Sequence, residues 1–217
     1  MSVEFKRKLV HIGNGTWTFI LPFIDRWLAI LIVLVVIFLV GVLFRPGRPK
    51  PFEKIFYGMA RENEIEIGFL KGPFLYVIMI FMLILFFDFR IAGAAFACMA
   101  FGDGFATLIG IHGKIRIKDK KTLEGSLAFF IAGTVMSGLV FWLIEIFNTP
   151  DAKLAFIPIL IIEKTFFNGL VVPFLILLVI AVFIAMFLEL FLYEYVDDNI
   201  LVPVVMAVML TVGCYLL

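Results

Sequence analysis

The sequence predicts an all-α, polytopic membrane helix bundle of about seven transmembrane helices, or six if the first apolar segment is re-entrant. Three observations lead there. Of 217 residues, 64% are hydrophobic, whereas soluble domains carry roughly 45–50% apolar residues. Only 16% are charged, and the mean hydropathy is +1.15. The apolar residues fall in runs near the length of about 20 that carries a helix across a hydrocarbon core.

The elements follow in order. The first apolar segment, residues 9–24, is the weakest span, because it is short and holds His11, Gly13, Asn14 and Gly15. It follows Lys6-Arg7-Lys8, which imitates a secretory signal, but no small-residue cleavage site comes after it, so the segment is expected to stay in the mature protein. Residues 27–44 form a clear span. The loop 45–72 opens with RPGRPKP, a turn former, and continues as FEKIFYGMARENEIEIGF, which suits a short amphipathic helix at the membrane surface. Spans at 73–88, 91–111 and 126–147 come next, separated by short polar joints. Residues 154–162 are apolar but too short to cross, and suit an interfacial helix within the loop 148–169. Spans at 170–193 and 200–217 complete the chain. No internal repeat or low-complexity tract is evident, and residues 1–217 read as a single integral membrane domain.

Charge sets the sidedness. The net charge is only +1, so nothing in the total favours nucleic acid as a partner. Its distribution is more informative. With seven spans and the N-terminus inside, fourteen Lys and Arg lie on the cytoplasmic side, while only Arg26, Arg90, Lys153 and Lys164 lie outside. The loops 45–72, 112–125 and 194–199 then share one face, which suits a catalyst taking a charged substrate from the cytosol and an apolar one from the bilayer. Cys98 and Cys214 both sit in apolar runs and are expected to pack as small hydrophobes.

Some residues do not read as generic membrane helix. Asp103, between Gly102 and Gly104, lies inside a span, where a carboxylate costs at least about 2.5–3.5 kcal/mol. A chemical role is the default reading of such a group. The glycines would let backbone amides approach a phosphate. Downstream, Lys121-Thr122-Leu123-Glu124-Gly125-Ser126 puts a cation, two hydroxyls, a carboxylate and a glycine ahead of the next apolar run. This segment reads equally as a phosphate contact at a helix start and as an ordinary helix cap. Gly113-Lys114 is not a P-loop, since Leu108 and Ile115 stand where glycine and Ser or Thr are required. Glu189 lies at membrane depth before Asp197-Asp198-Asn199, and with Asp103 could hold a divalent cation through oxygen ligands. His11 follows the basic triplet at the inner interface, whereas His112 reads as a loop residue.

Taken together, RKLVHIGNG, RENE followed by KGPF, FGDGFATLIG, KTLEGSLAFF, and Glu189 leading to DDNILVP resemble the CTP-dependent lipid kinases: dolichol kinase, phytol kinase and yeast-type diacylglycerol kinase. The motifs recur in that family's order from residue 7 to residue 203. The resemblance implies transfer of the γ-phosphoryl group of CTP, with Mg²⁺ or another divalent cation, to the hydroxyl of a membrane isoprenoid alcohol such as polyprenol, dolichol, phytol or geranylgeraniol. The residues that match its motifs are Arg7, Lys8, His11, Arg61, Glu64, Gly72, Pro73, Gly102, Asp103, Gly110, Gly113, Lys121, Thr122, Glu124, Gly125, Ser126, Glu189, Asp198, Asn199 and Pro203. Gly104 departs from the pattern, as many relatives have alanine there.

On this reading Asp103, Glu189 and Asp198 are the expected metal ligands and, with Lys121, the expected catalytic groups. Lys8, His11, Gly102, Gly104, Gly110, Gly113, Lys121, Thr122, Glu124, Gly125, Ser126 and Asn199 are the expected nucleotide contacts. The compact size resembles microbial members, implying a prokaryotic cell membrane with the active site cytoplasmic. Diacylglycerol is the alternative acceptor. GDG…G…KTLEGS is also similar to part of the phosphatidate cytidylyltransferases, but the signature that ends those enzymes is missing here. A membrane transporter using Asp103 and Glu189 as an ion path is the alternative from outside enzymology.

Overall fold

The computed structural model describes residues 3–118, 121–147, 162, 166, 169–192 and 195–217. Among these the chain is an all-helical membrane bundle with one small hairpin. Five helical stretches are long and apolar enough to cross a membrane: Arg26–Leu43, Phe89–Gly110, Leu123–Phe147, Val171–Leu192 and Asp198–Leu216. A sixth apolar helix, Lys71–Phe86, has 16 residues.

The first apolar segment is not a continuous span. Helix α1, Val3–Gly15, ends at Gly15 and gives way to two 3₁₀ turns, Thr16–Phe19 and Leu21–Phe23. Pro22 lies in the second turn, and Thr18 and Thr16 turn their hydroxyls back onto the carbonyls of Gly15 and Gly13. This local bonding competes with helix continuation. Asp25 then caps α2, Arg26–Phe38, by accepting from Leu28 N at 2.8 Å, and a π-turn carries the helix on to Leu43.

The expected single surface helix of the 45–72 loop is two. Helices α3, Lys50–Met59, and α4, Glu62–Ile67, are separated by Ala60 in extended conformation. Gly68 ends α4 in the left-handed region, at φ 67°, which favours glycine. Helix α5, Lys71–Phe86, follows.

The centre of the bundle is α6, Phe89–Ala97, a π-turn over Cys98–Asp103, and α7, Gly104–Gly110. It packs on α5, on α8, Leu123–Phe147, and on α10, Asp198–Leu216, while α9, Val171–Leu192, closes against α8 and α10. Small residues make this closeness possible: a Cβ at Gly93 would meet Val140 and Ile144 of α8. Ser137 of α8 also donates to the carbonyl of Ala94 at 2.8 Å. Between α7 and α8 lies a hairpin the sequence did not announce, β1, Arg116–Lys118, antiparallel to β2, Lys121–Thr122. The expected interfacial helix at 154–162 lies outside the described residues except for Ile162.

Arg26 and Arg90, read from sequence as outside loop charges, are buried. Arg26 Nη1 donates to the carbonyls of Ile84 and Phe87 at 2.7 and 2.9 Å, closing the end of α5. Arg90 donates through Nε and Nη2 to the two oxygens of Asp88, both at 2.8 Å, and through Nη1 to Glu145 of α8. At the far end from Asp103, this network ties α6 to α8.

Candidate active site

Three distant stretches of chain deliver carboxylates to one place. Asp103 ends the central π-turn, Glu189 lies in the last turn of α9, and Asp198 opens α10. One oxygen of each lies within 4.8 Å of the others. Asp103 and Glu189 are buried, their side chains 3% and 5% exposed, whereas that of Asp198 is 28% exposed.

Cations answer them. Lys8 of α1 donates to Asp103 and lies 3.6 Å from Asp198, while Lys121 of β2 donates to Glu189. His11 stands one turn beyond Lys8. Its Nε2 is 3.1 Å from the carbonyl of Met99 and 3.6 Å from Asp103, and its ring lies 4.3 Å from that of Tyr76. Bonding a carbonyl requires Nε2 to carry the hydrogen.

The donor set fits a hard divalent cation. All three ligands are carboxylate oxygens within 4.8 Å of one another, the donor type that a hard divalent cation such as Mg²⁺ takes. Three carboxylates against two ammonium groups leave one negative charge, which a divalent ion would reverse to one positive. That charge suits phosphate oxygens.

A cavity of about 550 Å³ opens onto this cluster, lined on the cluster side by Lys8, His11, Asp198 and Asn199. Arg7, Arg61, Gly72 and Pro73 line it elsewhere. Asp197 caps α10 by accepting from Asn199 N at 3.0 Å and Asn199 Nδ2 at 2.8 Å, so the Asn199 amide is already tied to the helix start. Burial, and then the neighbouring Asp198 carboxylate, raise the pKa of Asp197 above its ordinary value.

Other motif residues hold the frame. Glu64, buried, accepts from Arg7 Nη1 at 2.6 Å, from Arg61 N at 3.0 Å and from Gly72 N at 2.9 Å. RENE and KG thereby fasten α1, with its Lys8 and His11, to the corner between α4 and α5. In KTLEGS, Thr122 Oγ1 accepts from Gly125 N at 3.2 Å, and Glu124 accepts from Lys114 N at 2.9 Å. The first is the bond of a helix start, and the second ties that start to the loop before β1. Gly110, Gly113 and Gly125 crowd around Thr122, Ser126 lies half-buried in α8, and Lys121 alone of this segment reaches the carboxylates.

Gly102 and Gly104, expected to let backbone amides approach a phosphate, lie within helix. The backbone stays helical through both, and Gly104 N donates to Phe101 O within the turn. A Cβ at Gly104 would run into Ile12 of α1, so this glycine brings α1 close to Asp103. Pro203 is buried within α10. Tyr76, which packs on His11, was not foreseen, because an aromatic residue in an apolar run gives no signal of its own.

No protein-family model matches this chain, and no solved structure matches it. Curated proteins do match in part. A probable chloroplastic phytol kinase of Triticum aestivum is 34% identical over 41% of this chain and 31% of its own length. A probable chloroplastic phytol kinase 2 of Glycine max is 29% identical over 40% and 31%. An uncharacterized protein of Methanocaldococcus jannaschii is 42% identical over 35% and 39%. The matched stretches thus span about a third of each relative, and in that part the chain is similar to two proteins named as probable phytol kinases.

Proposed function

We propose that this protein is a CTP-dependent lipid kinase, moving the γ-phosphoryl group of CTP to the hydroxyl of a membrane-resident isoprenoid alcohol. The observation that carries this reading is the convergence of Asp103, Glu189 and Asp198 with Lys8 and Lys121 beside a cavity open to Asp198. Phosphoryl transfer needs charge neutralisation and in-line placement more than covalent chemistry, and the two lysines with a bound divalent ion would supply the first. The partial likeness to phytol kinases supports an alcohol as acceptor.

Asp103, Glu189 and Asp198 would hold Mg²⁺, which when bound neutralises the phosphate oxygens of the donor. Lys8 and Lys121 add positive charge on either side of the carboxylates and hold them in place. Of the three clustered carboxylates Asp198 is the one that lines the cavity, and through the oxygen it does not offer to the ion it would take the proton as the alcohol oxygen bonds to the γ-phosphorus. The bond from that phosphorus to the bridging oxygen breaks, leaving CDP and the lipid monophosphate. The polar face is cytoplasmic on this reading, as the charge distribution implies.

The test is label transfer with purified protein, Mg²⁺, and CTP labelled at either the γ- or the α-phosphate. Phytol, geranylgeraniol, a long polyprenol, diacylglycerol and phosphatidate form the acceptor panel. γ-Label in an isoprenoid alcohol supports the proposal. γ-Label in diacylglycerol alone would move the acceptor class, and α-label in phosphatidate would replace the kinase with a cytidylyltransferase.

A further inference from the structure

The polar cavity does not end at its charged wall. It shares Asn14, Val36, Tyr76 and Val77 with a second, apolar groove between α2 and α5. Beyond that junction the groove is walled by Ile32 and Val33 of α2 and by Ile80 and Ile84 of α5. Polar groups are scarce there, and the two at the junction are unusual. Tyr76 is 4% exposed, and its hydroxyl has no hydrogen-bond partner among the described residues. A buried hydroxyl without a partner is costly enough to call for an explanation. Asn14 places an amide at the mouth of an apolar groove, on the helix that also carries Lys8 and His11.

We infer that this groove seats the first carbons of the acceptor's tail, with Asn14 and Tyr76 meeting its hydroxyl at the junction. This assignment rests on the phosphotransfer reading of the polar cavity. The ligand it fits is an alcohol with one polar end and an apolar tail, because the site has one polar end and an apolar continuation. The groove holds about 80 Å³, which is room for a few carbons and not for a whole chain. The rest of the tail therefore lies in the bilayer, beside an α2 whose Leu31, Leu34, Val35 and Phe38 are all exposed. Selection accordingly acts on the carbons next to the hydroxyl and is indifferent to chain length.

The experiment is photolabelling of the full chain in lipid nanodiscs, without nucleotide. One probe is a long-chain primary alcohol carrying a diazirine near its hydroxyl, and its isomer carries the diazirine at the far end of the tail. Near-hydroxyl label is expected on peptides of α2 and α5, reduced several-fold by Val33→Trp. Far-end label is expected on lipid-facing surfaces, without that dependence. Tyr76→Phe, which removes only an oxygen, provides a second reading should Val33→Trp misfold. It is expected to weaken competition by unlabelled phytol about three- to tenfold, the worth of one hydrogen bond, and to leave competition by the matching alkane unchanged.

Near-hydroxyl label concentrated on other helices, or insensitive to both substitutions, would overturn the inference. The two readings fail separately, because labelling needs no turnover. Label in the groove without phosphate transfer would sink the kinase, and transfer with label elsewhere would sink the groove.

Discussion

The ammonium of Lys8 binds the carboxylate of Asp103, joining the N-terminal helix to the centre of the bundle across 95 positions of sequence. Both side chains are largely buried, 12% and 3% exposed, so removing either charge takes a close partner from the other. The same lysine lies 3.6 Å from Asp198, so one cation faces two of the three clustered carboxylates. The proposed chemistry then depends on α1 being held in place, although α1 carries Lys6, Arg7 and Lys8 and is not one of the long apolar helices.

Removing the carboxylates should separate chemistry from folding. Asp103→Asn and Asp198→Asn are expected to lower phosphoryl transfer about a hundredfold or more, as losing a group that stabilises transition-state charge does. The cavity-facing Asp198 should tolerate the change with less loss of stability than buried Asp103. Steady-state transfer across a Mg²⁺ titration, with thermal unfolding in detergent alongside, checks both. Chelation of divalent ions should abolish transfer by the native chain, and unimpaired turnover in excess chelator would end the metal assignment.

Legibility in the sequence followed cost. Asp103 and Glu189 stood out because an ionisable group inside an apolar run is expensive, and they do meet in space. Asp88, Arg90 and Glu145 carried no such signal: near the ends of spans, charges are ordinary, and nothing in the linear pattern says that these three are buried together. KTLEGS was legible as a polar cluster, but its partners were a tertiary question: Thr122 accepts from Gly125 N as a cap does and donates to the carbonyl of Gly110. The folding of α1 against the π-turn was equally hidden, because it depends on Gly104 and Ile12 meeting across the bundle.

The Arg90 network should matter for stability and not for chemistry. Glu145→Gln leaves the guanidinium with Asp88 and removes the second buried carboxylate from it, a change expected to cost about 1.5–3 kcal/mol, the worth of a hydrogen bond to a charged group. Folded Glu145→Gln protein should keep its KM for nucleotide, since the network lies at the other end of α6 and α8 from Asp103. Unfolding midpoints in detergent and initial rates corrected for folded fraction are the measurements. A changed KM would mean that the two ends of the bundle are coupled.

Glu64 should govern the placement of α1. It accepts three hydrogen bonds, one from the Arg7 guanidinium and two from backbone, so Glu64→Ala leaves all three donors without that acceptor. Hydrogen exchange across Val3–Gly15 is expected to rise about tenfold or more, as would follow from losing a charge-assisted bond worth roughly 1.5–3 kcal/mol. Glu64→Gln, which keeps an acceptor oxygen, should fall between. Exchange unchanged in both variants would show that α1 is held by its other contacts alone.

The close approach of Gly104 to α1 yields the most discriminating substitution pair. A methyl group at Gly104 would collide with the Cγ1 and Cδ1 of Ile12, one residue beyond His11 and four beyond Lys8. Gly104→Ala alone should therefore push α1 outward, draw Lys8 and His11 away from Asp103, and cost about 1–3 kcal/mol as overpacking does. Ile12→Ala alone should cost less than a deeply buried isoleucine would, because Ile12 is only partly buried. Combining the two returns the space, so the double variant should be more stable than the sum of the single losses predicts and should regain much of the transfer rate. A double-mutant cycle on unfolding free energy and on rate tests this directly. Strict additivity in both would mean that Gly104 and Ile12 do not set the distance between α1 and Asp103.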